Sequence, residues 1–340
     1  MDTIEPLPFK YKLLNARGEE AGVFSKRGEL TADEIVLDKT RIPLLAVAQT
    51  AVRMNRLILV VATGDQRLVT TAVAITSGAS RGSRQARARA IKQAIDRICS
   101  ASWADRHRDQ LRQQGRAAEF HAEDCPYCGA TIDLSGFDPS PQVYCPYCQV
   151  VATLGPDAPP DEAAYRLCNA CGYYSRPSAF TSTYIVFLCA AVIWRLRTTT
   201  RCNACMRSEA LKMLLVNTPF VIGIPWTAVA LTRAYFGGST LSAAFAGLDA
   251  ANYAARKKKW RKAEDLYDRI LERMPHAAGV RYNRALLRLG QEDWPGCLEE
   301  VKTLWADCAN YQPAVGLACK ALNRLGRQDK ARALELRWSQ

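Results

Sequence analysis

Eight of the thirteen cysteines in this 340-residue chain stand in four Cys-x-x-Cys pairs. That pairing constrains the fold more than any other feature. The pairs are Cys125/Cys128, Cys145/Cys148, Cys168/Cys171 and Cys202/Cys205. Two intervening residues let one tight turn present both sulfurs to one point, which suits ligation of a shared ion better than bridging to a distant partner. An odd cysteine count, a long chain and a start (Met1 to Lys12) without a basic-then-apolar leader pattern predict a reducing compartment, where thiols are not spent on disulfides.

Cys128 and Cys145 enclose sixteen residues, so the first two pairs read C-x2-C-x16-C-x2-C, the spacing of a zinc ribbon. Four thiolates complete a tetrahedron and leave no coordination position for water or substrate, which predicts a structural ion. Gly129, directly after Cys128, suits the positive φ that such turns commonly need. Cys-Pro-Tyr-Cys is also a redox tetrapeptide of glutaredoxins, but two copies sixteen residues apart without a βαβ pattern favour metal. The second set, Cys168/Cys171 and Cys202/Cys205, is separated by thirty residues, beyond the usual interval. Spacing alone also permits Cys145/Cys148 with Cys168/Cys171, nineteen residues apart. Matching tetrapeptides, Pro-Tyr with Pro-Tyr and Asn-Ala with Asn-Ala, favour two symmetric two-knuckle ribbons and two structural zinc ions.

Upstream, residues 22–75 read as strands: Glu34–Leu37, Ile42–Ala46, Leu57–Ala62 and Leu68–Ile75. Ile91, Ala94, Ile95, Ile98 and Ser102 recur at helical spacing after a loop or frayed start at Ser77 to Arg84. Gly28-Glu-Leu-Thr-Ala-Asp-Glu-Ile-Val-Leu37, Ile42-Pro43 and Asn55-Arg-Leu57 resemble bacterial members of the pleckstrin-homology-like superfamily. The resemblance covers residues 10–115 and implies a β-barrel-like domain closed by a C-terminal helix.

The last hundred residues repeat with a period of 34. Small residues stand at Ala251, Ala285 and Cys319 and again at Ala263, Cys297 and Ala331, with Trp260 and Trp294 also 34 apart. A paired-helix repeat needs a small side chain at just such places, where its two helices approach. Trp260, Ala263, Tyr267 and Pro275, then Tyr282-Asn283, Ala285 and Trp294, resemble tetratricopeptide repeats. That resemblance implies protein or peptide binding in a concave groove, with a degenerate third unit as the cap.

Two apolar stretches lie between. If Cys171 and Cys202 share an ion, both ends of the run Tyr184 to Trp194 lie on one side of any membrane, and the run is too short to cross twice. A buried strand, or a hairpin whose tip touches lipid, is expected. Met213 to Thr232 carries no charge and matches one crossing in length, but Pro219, Pro225 and Asn217 weaken a simple span. Basic residues flank both ends: Arg195, Arg197, Arg201, Arg207 and Lys212 before, Arg233 after. The positive-inside rule therefore favours no direction, and a re-entrant or interfacial hairpin fits better. Cys202 to Arg233, with Lys212, Asn217 and Gly223-Ile-Pro225-Trp226, resembles a ribbon-plus-hydrophobic-segment module of bacterial membrane-associated proteins, which implies no activity.

The fold class expected is multidomain α+β: a pleckstrin-homology-like domain at 10–118, zinc ribbon 1 at 121–154, zinc ribbon 2 with an apolar insert at 164–208, a hydrophobic membrane-associated segment at 211–236 and tetratricopeptide-like repeats at 242–338. A net charge of +13 favours anionic partners. Arg81 to Arg116 holds ten Arg/Lys against three Asp, but Trp103 is its sole aromatic, so specific nucleic-acid reading is not supported. His107, His121 and His276 form no metalloprotease motif, and neither a P-loop nor Gly-x-Ser-x-Gly occurs. The expected function is a non-enzymatic zinc-binding adaptor at the cytoplasmic face of a membrane. A nucleic-acid-binding ribbon protein and a thiol oxidoreductase using a Cys-Pro-Tyr-Cys pair are the alternatives.

Overall fold

A computed structural model describes residues 6–15, 19–64, 67–156, 158, 159, 161–188, 191–217, 224–236 and 241–338. The chain is mixed α+β and divides into two compact units, residues 1–136 and 137–340.

Seven antiparallel strands form the sheet of the first unit: β1 (Leu7–Leu14), β2 (Glu20–Leu30), β3 (Glu34–Leu37), β4 (Thr40–Pro43), β5 (Val47–Arg53), β6 (Arg56–Ala62) and β7 (Leu68–Ile75), in the order β4-β3-β2-β1-β7-β6-β5. The edge strands β4 and β5 do not pair, so the expected barrel is an open sheet. The expected strand Ile42–Ala46 stops at Pro43, whose ring removes a ladder donor, and Leu44–Ala46 turns as a 3-10 helix. Helix α1 (Arg81–Gln113) starts at an N-cap, Ser80, which exchanges hydrogen bonds with Ser83 in a capping box, so of the loop or frayed start expected over Ser77 to Arg84 the first half is loop and the rest a capped helix start. Its Ala88, Ile91, Ile95 and Cys99 join Tyr11, Leu30, Leu57, Leu59 and Ile75 in one core. The Cys99 thiol donates to the Leu44 carbonyl at 3.3 Å, which ties the helix to the turn after β4.

Part of the positive charge on α1 is engaged within the unit. Arg87 donates to the Pro8 carbonyl, Lys92 pairs with the buried Asp96, and Arg106 stacks over Trp103 at 4.0 Å. Burial raises the Asp96 carboxyl above the usual carboxylate range, against the pull of Lys92. Beyond α1, the hairpin β8 (Ala122–Asp124) and β9 (Thr131–Asp133) packs on the helix, where the Ser100 hydroxyl accepts from the Thr131 amide at 2.9 Å.

The second unit opens with two short hairpins, β10 (Gln142–Tyr144) with β11 (Val151–Thr153) and β12 (Arg166–Leu167) with β13 (Tyr174–Ser175). A longer one follows, β14 (Ser178–Leu188) with β15 (Ala191–Arg201), in which the apolar run lies on both strands. Helices α2 (Asn203–Asn217) and α3 (Ile224–Phe236) pack on this hairpin through Phe180, Met206, Ala210, Met213, Ala230 and Ala234. The buried Asn217 amide donates to the Thr183 carbonyl at 3.0 Å and to the Thr227 hydroxyl at 3.1 Å, joining all three elements. Met213 to Thr232 is thus parts of two helices, with residues 218–223, including Pro219 and Gly223, outside the described residues. Among the described residues no helix is long and apolar enough to cross a membrane.

Six helices complete the unit: α4 (Leu248–Arg256), α5 (Trp260–Arg273), α6 (Ala278–Gly290), α7 (Trp294–Asp307), α8 (Pro313–Arg324) and α9 (Gln328–Trp338). The six small residues at the 34-residue period, Ala251, Ala285, Cys319, Ala263, Cys297 and Ala331, are all buried. A larger side chain at these positions would force the helices of a pair apart.

Candidate metal centres

Three of the four pairs are built alike. In each, a short hairpin delivers the first cysteine, the chain turns, and the residue after the second cysteine has left-handed φ. Cys125 sits between β8 and β9, with its amide donating to the Ala130 carbonyl at 2.9 Å and its carbonyl accepting from Gly129 at 2.8 Å. Cys145, between β10 and β11, and Cys168, between β12 and β13, repeat both bonds: Cys145 to Val150 and Gln149, Cys168 to Tyr173 and Gly172. The left-handed residues are Gly129 (φ 69°), Gln149 (φ 63°) and Gly172 (φ 75°). Glycine adopts this region without cost, whereas Gln149 carries the steric penalty of its Cβ.

The fourth pair differs. Cys202 directly follows the strand β15 and Cys205 lies in the first turn of α2, where the Met206 amide donates to the Cys202 carbonyl at 2.9 Å. A helical turn brings residues i and i+3 to one side just as a knuckle does. The second ribbon is therefore one knuckle and one helix start, and the expected symmetry is absent from it. The long hairpin fills the thirty-residue interval.

The sulfurs gather by matching tetrapeptides. The Sγ atoms of Cys125, Cys128, Cys145 and Cys148 form one group and those of Cys168, Cys171, Cys202 and Cys205 another, with all ligand atoms of a group within 4.8 Å of one another. The described cysteines form no disulfide. Crossed pairing of Cys145/Cys148 with Cys168/Cys171 does not occur.

The surroundings of the second group suit thiolates. The amides of Ala170 and Cys202 donate to the Cys168 sulfur at 3.4 and 3.3 Å, and an Arg256 guanidinium N–H from α4 donates to Cys205 at 3.3 Å. Hydrogen bonds from Cys171 and Cys202 hold the Cys168 thiol far below its ordinary range, while the bond to Cys168 and burial push Cys171 and Cys202 well above theirs. Four thiols this close share protons because they cannot all ionise side by side. A cation at their centre is what would allow every one of them to do so.

The groups are seated by three asparagines, of which the sequence reading named only Asn283, and that as part of the repeat pattern. Asn283, on α6, accepts from the Tyr174 amide at 2.7 Å and donates to its carbonyl at 2.8 Å. Asn310, just before α8, does the same to Tyr144, at 2.8 Å in both directions. Asn252, on α4, donates to the Tyr174 carbonyl at 2.9 Å and accepts from Asn283 at 2.9 Å and from the Tyr267 hydroxyl at 2.7 Å. A side-chain amide here stands in for a neighbouring strand, so a buried knuckle strand keeps its backbone satisfied. Tyr144, Tyr165, Tyr173 and Tyr174 join the core of the repeats, and a Cβ on Gly279 would meet the Tyr174 ring at 2.5 Å. These asparagines fall 31 and 27 residues apart, off the 34-residue period, so periodicity could not expose them.

His107 bonds to Asp133, His276 to Asp307, and His121 lies 3.8 Å from Glu123; none joins a cysteine group. Compared with known protein families, curated proteins and solved structures, the chain shows no significant match. The sites themselves therefore carry the functional reading.

Proposed function

We propose that this chain is a non-enzymatic, zinc-stapled adaptor, in which two structural zinc ions hold small modules in shape on a tetratricopeptide-like helical stack. The observation that carries the reading is the closing of two all-cysteine groups. In the second, the Cys171 and Cys202 sulfurs are 3.8 Å apart, and four sulfurs about 2.3 Å from a central zinc would stand roughly 3.8 Å from each other. All-thiolate donors select zinc among common divalent ions, and a filled tetrahedron offers no position for substrate. The same closure argues against a thiol oxidoreductase, because each Cys-Pro-Tyr-Cys pair then has both sulfurs committed.

The strand order and covering helix of the first unit are consistent with a pleckstrin-homology-like module in an open form. A protein partner binds through the helical repeats, on the faces left uncovered by Tyr144 and Tyr174, since Asn252, Asn283 and Asn310 are already engaged by the chain's own backbone. The hydrophobic helices α2 and α3 hold the protein at a membrane surface. Metal analysis of protein purified without added metal tests the central claim. Two zinc ions per chain, retained through mild chelation, are expected; a folded, metal-free protein or disulfides among the eight cysteines would overturn it.

A further inference from the structure

The two helices after the second cysteine group each bury one side against the long hairpin. Met206, Ala210, Met213 and Asn217 are buried on α2, as are Thr227, Ala230 and Ala234 on α3. The outward side carries large apolar residues instead. Leu215 is 76% exposed, Val229 63%, and Leu211, Leu214 and Val216 are also exposed. A leucine-rich outer face over a complete inner core is costly in water, and it has a chemical context. From Ser178 to Leu248 the sequence holds six Arg/Lys and a single acid, Glu209. Glu209 is paired with Arg201 at 2.9 Å and accepts from the Tyr184 hydroxyl at 2.8 Å. Arg197, Arg207, Lys212 and Arg233 are exposed, with Arg207 donating to the Ala234 carbonyl and lying over the Tyr235 ring.

We infer that the outer face of α2 and α3 is an interfacial anchor for anionic phospholipid, with the leucines entering the acyl boundary and the cations meeting headgroup phosphates. The inference rests on the membrane-surface placement proposed above and assigns it to named residues and one lipid class. Length excludes a crossing by either helix alone: the fifteen residues of α2 extend roughly 22 Å, short of the ~30 Å hydrocarbon core. Charge decides between a lipid and a second copy of the chain. A symmetric self-contact over this face would bring Arg207, Lys212 and Arg233 toward their own equivalents with no free acid to answer them, whereas an anionic leaflet answers all of them.

Co-sedimentation of the full chain with phosphatidylglycerol-containing vesicles and with pure phosphatidylcholine vesicles tests this, with zinc content measured on every variant as the check of folding. Binding is expected on the anionic vesicles and to weaken as salt rises. Leu215→Ser should lower partition about tenfold or more, from the lost burial of one leucine. Lys212→Gln and Arg233→Gln should each lower it about fivefold on anionic vesicles and hardly at all on neutral ones. Vesicle binding that ignores these substitutions would overturn the assignment while leaving membrane association standing. No binding to any vesicle would remove both and leave the zinc reading intact. A dimer in solution that Leu215→Ser dissolves would give the face to a second copy and overturn the inference as well.

Discussion

The two cysteine groups use the same spacing within each pair and reach it by different backbones. In the first, Cys125/Cys128 and Cys145/Cys148 both sit on hairpin turns, and the sixteen residues between them need only connect two hairpins. In the second, Cys168/Cys171 keeps the hairpin turn while Cys202/Cys205 borrows the start of a helix. A helix start frees the preceding strand to lengthen, so the second group can carry an eleven-residue hairpin strand on each side and two helices behind it. Spacing within a pair thus reports that two sulfurs face one point and not which turn holds them, and spacing between pairs reports what the site supports.

That contrast can be broken most sharply at the sulfurs. Cys168→Ser and Cys145→Ser should each lower bound zinc from two ions to one per chain by metal analysis. Each should also cost several kcal/mol, since structural zinc is folding free energy. Amide exchange should separate them. Loss of the second group is expected to expose β14, β15 and α2, which hang from it, while loss of the first leaves them protected. Equal patterns in both variants would mean that the second group is no more a hub than the first.

The next effect is at the asparagines. Asn283→Ala removes the side-chain acceptor of the Tyr174 amide and one of the two carboxamides on its carbonyl, inside a network that includes Asn252 and Tyr267, and should cost about 2–4 kcal/mol in denaturant unfolding. Asn310→Ala, holding Tyr144 outside that network, should cost about 2. Gly279→Ala presses a methyl into the Tyr174 ring. The penalty of overpacking, offset by about 1 kcal/mol of helix preference, leaves an expected loss of about 1–2 kcal/mol, again read from the unfolding midpoint. The smallest effect has the opposite sign. Gln149→Gly relieves the one left-handed knuckle position that lacks glycine, and should raise stability by about 0.5–1 kcal/mol with zinc content unchanged.

The eight sulfurs and their grouping were legible because ligand turns are local and the tetrapeptides match. The C-terminal helices were legible because close helix approach forces small residues at a fixed period. The sheet was less so. Strands β3, β6 and β7 carry apolar runs, whereas β2 is exposed along most of its length, with Gly22 in it, and offers no alternation to read. Closure of the barrel depends on whether two edges meet, which no local pattern encodes. The asparagine contacts to Tyr144 and Tyr174 pair residues 78 to 166 positions apart, and their partners are backbone atoms, which every residue has.

That last property has a consequence of its own. A carboxamide that grips main chain is indifferent to which side chain the gripped residue bears, provided that a ring-sized body fills the space beneath. Position 144 should therefore accept phenylalanine with little loss, and unrelated hairpins could be grafted into the same seats. The helical stack behaves as a socket for strands rather than for sequences.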